Sequence, residues 1–72
     1  MDNIMFGKFI RKSRKEKGLT QKQLAEQLHV SDKTVSKWEN GAGFPDIKLL
    51  EPLAACLEVS LLELMQSERV EE

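Results

Sequence analysis

Hydrophobic residues recur at intervals of three and four along most of the chain, which is the spacing of helices that bury one face. No stretch shows the apolar and polar alternation of a half-buried strand. Capping residues and glycines divide the pattern into five segments, so the sequence predicts an all-α protein. The expected helices cover 3–17, the segment between Thr20 and His29, 31–40, 46 to about 57, and 60 to about 66, and they form one domain at 1–66 followed by a short acidic tail at 67–72.

The second and third segments are the most informative part of this pattern. Thr20 and Gln23 match a capping box, and Ser31 is a second N-cap only a few residues after the preceding helix ends. Gly41 follows the third segment, at a position that often requires positive φ. Two short capped helices with so brief a connection predict a helix-turn-helix, whose second helix can enter the major groove of B-DNA.

The third predicted helix, 31–40, has two faces of different chemistry. A projection at about 100° per residue places Val35 and Trp38 on one face and Lys33 and Lys37 on the other. We expect the first face to pack in the core, with Trp38 buried. The two lysines repel each other weakly across one helical turn, and a polyanion would relieve that repulsion. The alternative is that they only form a solvated surface.

Charge is distributed unevenly along the chain. The 72 residues carry a net charge of −1, yet residues 8–37 hold nine basic and three acidic residues and residues 38–72 hold two basic and eight acidic ones. The basic half coincides with the predicted helix-turn-helix. Such asymmetry favours a nucleic-acid partner.

Composition excludes several other classes of protein. The single cysteine, Cys56, cannot form an intrachain disulfide and is expected to be a small buried apolar residue. There is neither an apolar run of about 20 residues nor a signal peptide, so we expect a soluble cytoplasmic protein. The sequence shows no nucleophile and base set, carboxylate pair, phosphate-binding loop or zinc motif. Neither an enzymatic activity nor a metal, cofactor or small-molecule ligand is therefore expected.

Three positions interrupt the helical pattern. Gly7 is expected to be a weak point inside the first helix. Pro52 lies deep in the fourth segment, which predicts a kink or two short helical pieces. Phe44 belongs to the loop after the third helix, and we expect it to cover the core.

Motifs spread over nearly the whole chain carry a family resemblance. They include Phe6-Gly-Lys, Arg-Lys-Glu-Lys-Gly-Leu-Thr-Gln at 14–21, Lys-Trp-Glu-Asn-Gly at 37–41 and Leu-Glu-Val-Ser-Leu at 57–61. In motif, spacing and length, residues 4 to about 66 resemble the phage repressor/Cro type, or XRE family, of DNA-binding domains. The resemblance implies a compact five-helix, lambda-repressor-like fold and a regulator of transcription that binds double-stranded DNA sequence-specifically.

The resemblance also implies contacts for individual residues. The first glutamine of helix 2, here Gln21, would contact a backbone phosphate, and early residues of helix 3 would reach base edges. Lysine, aspartate and threonine have the donors and acceptors for such contacts. We predict base contacts from Asp32, Lys33, Thr34, Ser36 and Lys37, and phosphate contacts from Thr20, Gln21, Lys22 and Asn40.

Two further residues take their expected roles from the same resemblance. Arg14 and Glu39 would form a structural ion pair between helices 1 and 3. Removal of one partner would leave the other as a partly buried charge without a counter-charge. His29 stands where the family usually has glycine, at a turn position that tends to take positive φ. Histidine tolerates that conformation better than most residues with a side chain.

The predicted function is regulation of transcription, with repression by promoter occlusion as the first hypothesis. One such module covers only about 600–1,000 Å² on DNA, so specificity generally requires two copies on a palindromic operator. We therefore expect a homodimer, at least on DNA, with contacts from Leu49, Leu62 and Met65, which exceed the needs of the core. The alternative is a protein-interaction module, such as an antitoxin or an assembly subunit, that retains the fold.

Overall fold

The structure, a computed structural model, describes residues 2–68 and contains five α-helices. No strand occurs within this range, so the all-α prediction is confirmed. Residues 69–72 of the predicted tail lie outside the described range, and the domain boundary at 66 stays a prediction. The helices are α1 (Asn3–Glu16), α2 (Gln21–Leu28), α3 (Asp32–Glu39), α4 (Ile47–Leu57) and α5 (Leu61–Gln66).

Polar side chains fix the start of every helix. Thr20 Oγ1 accepts from the backbone N–H of Gln23 at 3.0 Å, and Gln23 Oε1 accepts from the backbone N–H of Thr20 at 2.9 Å. The predicted capping box is therefore present. Ser60 and Glu63 form the same arrangement at α5. Because each cap satisfies an amide that the helix leaves unpaired, the helices begin where the sequence predicts. The N-caps are Asp2, Thr20, Ser31, Asp46 and Ser60.

All five helices contribute buried residues to the core, in which α3 packs on α1 and α2, and these two helices pack in turn on α4 and α5. Val35 is fully buried and Trp38 is 3% exposed, so the inner face of α3 packs in the core, as predicted. Phe44 lies over Phe6 with ring centroids 4.5 Å apart and covers the core from the loop after α3. Cys56 is only partly buried, and it packs against the core from α4.

At Gly7 the backbone of α1 lies close to the backbone of α3. A Cβ added at this position would collide with the carbonyl oxygen of Trp38 and lie 2.7 Å from that of Glu39. A residue with a side chain would therefore push the two helices apart. The low helix propensity that makes Gly7 a weak point locally is offset by a backbone contact that only glycine permits.

Pro52 does not divide the fourth helix. The helix α4 runs from Ile47 to Leu57 with Pro52 inside it, so the alternative of two short pieces is wrong. Pro52 has no N–H to donate to the carbonyl of Lys48, four residues earlier. The proline lies on the exposed side of α4, where water can hydrate that carbonyl. Leu53 and Leu57, which are fully buried, hold the helix against the core.

Candidate nucleic-acid interface

The outer face of α3 carries three exposed charged residues. Lys33 and Lys37 lie one turn apart, and Asp32 occupies the first turn. No ion pair engages either lysine within residues 2–68. Since Val35 and Trp38 anchor the inner face, the two ammonium groups are displayed on a helix whose position is set by the core.

The smaller polar residues of α3 already have partners inside the protein. The hydroxyls of Thr34 and Ser31 lie 2.9 Å apart, and the side-chain Nδ2 of Asn40 donates to the Ser36 hydroxyl at 3.3 Å. A hydroxyl that takes part in one hydrogen bond retains capacity for another. Thr34 and Ser36, both partly buried, are therefore pre-oriented at the edge of the outer face, beside the lysines.

The start of α2 lies against the end of α3. Gln21, the first residue of α2, donates from Nε2 to Glu39 Oε1 at 3.0 Å, so its amide is held by a residue of α3. Thr20 uses its hydroxyl to cap α2, and Lys22 is exposed. The amides at a helix start attract anions, and two of the predicted phosphate-contact residues belong to this first turn.

The carboxylate of Glu39 connects α1, α2 and α3. Arg14 donates to it twice, from Nε to Oε2 at 2.6 Å and from Nη2 to Oε1 at 3.1 Å. The third Arg14 nitrogen, Nη1, donates to the Leu19 carbonyl at 2.7 Å. Both side chains are largely out of water, with 9% of Arg14 and 1% of Glu39 exposed. The structure thus brings together the two residues that the resemblance pairs, and it adds Gln21 to them.

Arg11 is a basic residue near this cluster that sequence reasoning does not single out. Its Nε lies 3.8 Å from Glu39 Oε1, and 54% of its side chain is exposed. Its position three residues before Arg14 places both arginines on neighbouring parts of the α1 surface, and this spacing is the sequence feature that could have indicated a place near Glu39. One of many basic residues in α1, it could not be distinguished without the tertiary contact.

Apolar residues are exposed at a separate surface formed by α4 and α5. Leu62 and Met65 are 58% and 42% exposed, whereas Leu49 is half-buried and packs against the core. Ile47, which the sequence does not single out, is the most exposed large apolar residue that the structure describes, at 80%. A shallow groove on this side is lined by Ile47, Leu50, Leu61 and Met65, together with Lys48 and Glu51. The assignment of Leu49, Leu62 and Met65 to a dimer contact stays a prediction.

Among residues 2–68, no three His, Cys, Asp or Glu side chains are grouped so that they could hold a metal ion. None of the described helices is long and apolar enough to cross a membrane.

The five-helix arrangement, with α2 and α3 forming a helix-turn-helix, defines a lambda-repressor-like domain. The sequence model of the helix-turn-helix family matches residues 10–64. The chain belongs to this family.

Two named regulators are similar to this chain over most of its length. The transcriptional activator BcrR of Enterococcus faecalis is 40% identical over 65 residues, which cover 90% of this chain and 32% of BcrR. The transcriptional regulator SlrR of Bacillus subtilis is 42% identical over 65 residues, 89% of this chain and 43% of SlrR. This chain therefore spans less than half the length of either relative.

A solved structure of similar size shows the same fold. The restriction-modification controller protein C.AhdI of Aeromonas hydrophila superimposes with a TM-score of 0.81 and 30% sequence identity. The match covers 88% of this chain and 96% of the controller protein.

Proposed function

We propose that this chain is a sequence-specific DNA-binding regulator of transcription in which α3 enters the major groove of its operator. The observation that carries this function is the orientation of α3, which buries Val35 and Trp38 and displays Lys33 and Lys37. A lysine ammonium can donate to guanine O6 and N7, and Asp32 can accept from cytosine N4. Thr34 and Ser36 can add contacts at the edge of the same face.

Phosphate contacts would come from the residues that border α3. Thr20, Gln21 and Lys22 surround the start of α2, where the helix dipole favours an anion, and Asn40 follows the end of α3. Contacts at this end of α3 would fix its register in the groove without reading sequence themselves.

Selection of duplexes from a random pool, at two salt concentrations, tests this function. We expect a consensus sequence to emerge, and we expect affinity for it to fall steeply as salt rises, because bound phosphates release counterions. Retention of duplexes without any common sequence would contradict sequence-specific binding.

Lys37→Ala tests the role of α3 directly, with Lys12→Ala as the matched control on the exposed side of α1. Loss of one base contact should weaken binding to the consensus by about 1–3 kcal/mol, whereas the control removes the same charge elsewhere. Both residues are exposed, so neither substitution should alter the melting temperature appreciably. Equal affinities for the two variants would contradict a base-reading role for α3.

The proposed binding form is a homodimer on a palindromic operator. Leu62 and Met65 supply exposed apolar surface on α5, and Ile47 extends it from α4. Sedimentation of the free chain and of its complex with the selected duplex gives the stoichiometry. Leu62→Gln should weaken the dimer, whereas Met5→Gln, at a residue 51% exposed on α1, should not. A complex with one chain per operator would refute the dimer.

Repression is the proposed consequence of binding. Occlusion of a promoter requires only that the protein occupy DNA, which is the property that the α3 surface supports. The similar protein BcrR carries the name of an activator, so a reporter with the selected sequence placed across its promoter is the decisive assay. Increased expression on addition of the protein would contradict repression. The proposed function also includes that the protein acts on DNA in the cytoplasm and that it catalyses no reaction.

The exposed apolar residues of α4 and α5 favour a second candidate, a protein-interaction module such as an antitoxin or an assembly subunit. The Lys37→Ala experiment discriminates between the two. A variant that stays folded and binds duplex as well as the unmodified chain does would favour the interaction module.

A further inference from the structure

The guanidinium of Arg11 is a surplus positive charge at the junction of α1, α2 and α3. Glu39 is already neutralised by the two hydrogen bonds from Arg14, and its Oε1 accepts a third from Gln21. Arg11 lies 3.8 Å from the same oxygen, which is too far for a hydrogen bond, and more than half of its side chain is exposed. Two guanidinium groups therefore surround one carboxylate, and the exposed one has no hydrogen bond within residues 2–68.

Arg11 and Gln21 approach Glu39 at a single atom. The Nε of Arg11 and the Nε2 of Gln21 lie 3.8 Å and 3.0 Å from Glu39 Oε1. The two side chains therefore lie beside the same carboxylate oxygen, although they belong to α1 and α2. A phosphate has several acceptor oxygens, so one phosphate group placed beside Gln21 can also accept from the guanidinium of Arg11.

We propose that Arg11 binds the same backbone phosphate as Gln21, an inference that rests on the proposed function. Gln21 is positioned by Glu39 and by the first turn of α2, and Arg11 supplies the full charge that an amide lacks. The planar guanidinium can donate two parallel hydrogen bonds to a phosphate, which a lysine at this position could not do. Arg14 keeps Glu39 neutralised, so the buried carboxylate does not repel the incoming anion.

The central experiment compares Arg11→Gln with Lys12→Gln on the selected duplex over a range of salt concentrations. Both variants lose one positive charge from the exposed surface of α1. Arg11→Gln should weaken binding by about tenfold at low salt and reduce the slope of log affinity against log salt by about 0.9, the value for one phosphate contact. Lys12→Gln should change the slope much less. Equal slopes for the two variants would overturn the assignment.

A double-mutant cycle tests whether the two residues share a phosphate. If Arg11 and Gln21 bind one group, the combination of Arg11→Gln with Gln21→Ala should cost less than the sum of the single effects, because the second loss falls on a contact already weakened. Additive losses would place Arg11 on a different phosphate and contradict the shared contact. Arg11→Lys should recover only part of the affinity that Arg11→Gln loses.

Fold and function can be separated in the same measurements. The Arg11 contact with Glu39 is long and solvent-exposed, so Arg11→Gln should leave the melting temperature nearly unchanged. If Lys37→Ala weakens binding while Arg11→Gln and Lys12→Gln behave alike, only the role of Arg11 fails. If the unmodified chain binds no duplex, the proposed function fails, and the phosphate contact fails with it.

Discussion

Replacement of Gly7 by alanine tests the close approach of α1 to α3. In an isolated helix, Gly→Ala is stabilising by about 1 kcal/mol, because alanine loses less conformational freedom on folding. In this protein the added Cβ would collide with the Trp38 carbonyl and lie 2.7 Å from the Glu39 oxygen. The gain in helix propensity would therefore raise the free energy of unfolding of Gly7→Ala, whereas the clash with α3 would lower it.

The clash between the added Cβ and α3 should cost more than the gain in helix propensity contributes. Overpacking typically costs about 1–3 kcal/mol, and we expect the upper end here because both neighbours are backbone carbonyls that cannot rotate away. After subtraction of the gain in helix propensity, Gly7→Ala should destabilise the protein by about 2 kcal/mol. For a domain of this size that corresponds to a fall in melting temperature of about 10 °C.

Thermal and urea unfolding followed by circular dichroism give the required free energies. Gly43→Ala is the matched control, because a Cβ added there meets nothing within 4 Å and this glycine does not have positive φ. The control should be neutral or slightly stabilising. If Gly7→Ala proves as stable as the unmodified chain, α1 and α3 do not approach as closely as described, and the reasoning is refuted.

The remaining predictions concern three other residues. His29 has a φ of 59°, so His29→Gly should remove strain and stabilise the protein by about 1 kcal/mol; an unchanged melting temperature would contradict this. Glu39→Gln leaves the buried Arg14 guanidinium without its counter-charge and should cost about 3–5 kcal/mol in urea unfolding, whereas a loss below about 1 kcal/mol would show that water replaces the carboxylate. Burial raises the pKa of the Cys56 thiol, so at mildly alkaline pH iodoacetamide should alkylate the folded chain more slowly than the urea-unfolded chain, and equal rates would exclude that shift.

The helix boundaries could be predicted because they depend on local chemistry. Thr20, Ser31, Asp46 and Ser60 cap helices through amides two or three residues away, which a single sequence displays. Apart from the break expected at Pro52, prediction and structure differ at terminal residues, as at α3, which is expected at 31–40 and found at Asp32–Glu39. The burial of Trp38 could also be predicted from the sequence, since it follows from the helical period.

The features that the sequence did not reveal depend on contacts between distant segments. Gly7 is required by α3, and the continuity of α4 through Pro52 depends on which side of that helix faces solvent. Within the candidate interface, the hydrogen bond from Gln21 to Glu39 and the proximity of Arg11 arise from residues far apart in the chain. Periodicity and capping motifs contain no information about such pairs.

Trp38 gives the domain a built-in optical reporter. It is the single tryptophan of a chain without tyrosine, and the residue is 3% exposed on the inward side of α3. The chromophore therefore belongs to the helix that carries Lys37, but it lies in the core and not on the exposed face with that lysine. Its emission should shift to longer wavelength when α3 leaves the core, while stacking against bases should not quench it. Unlabelled protein can thus be monitored for loss of structure during a DNA titration.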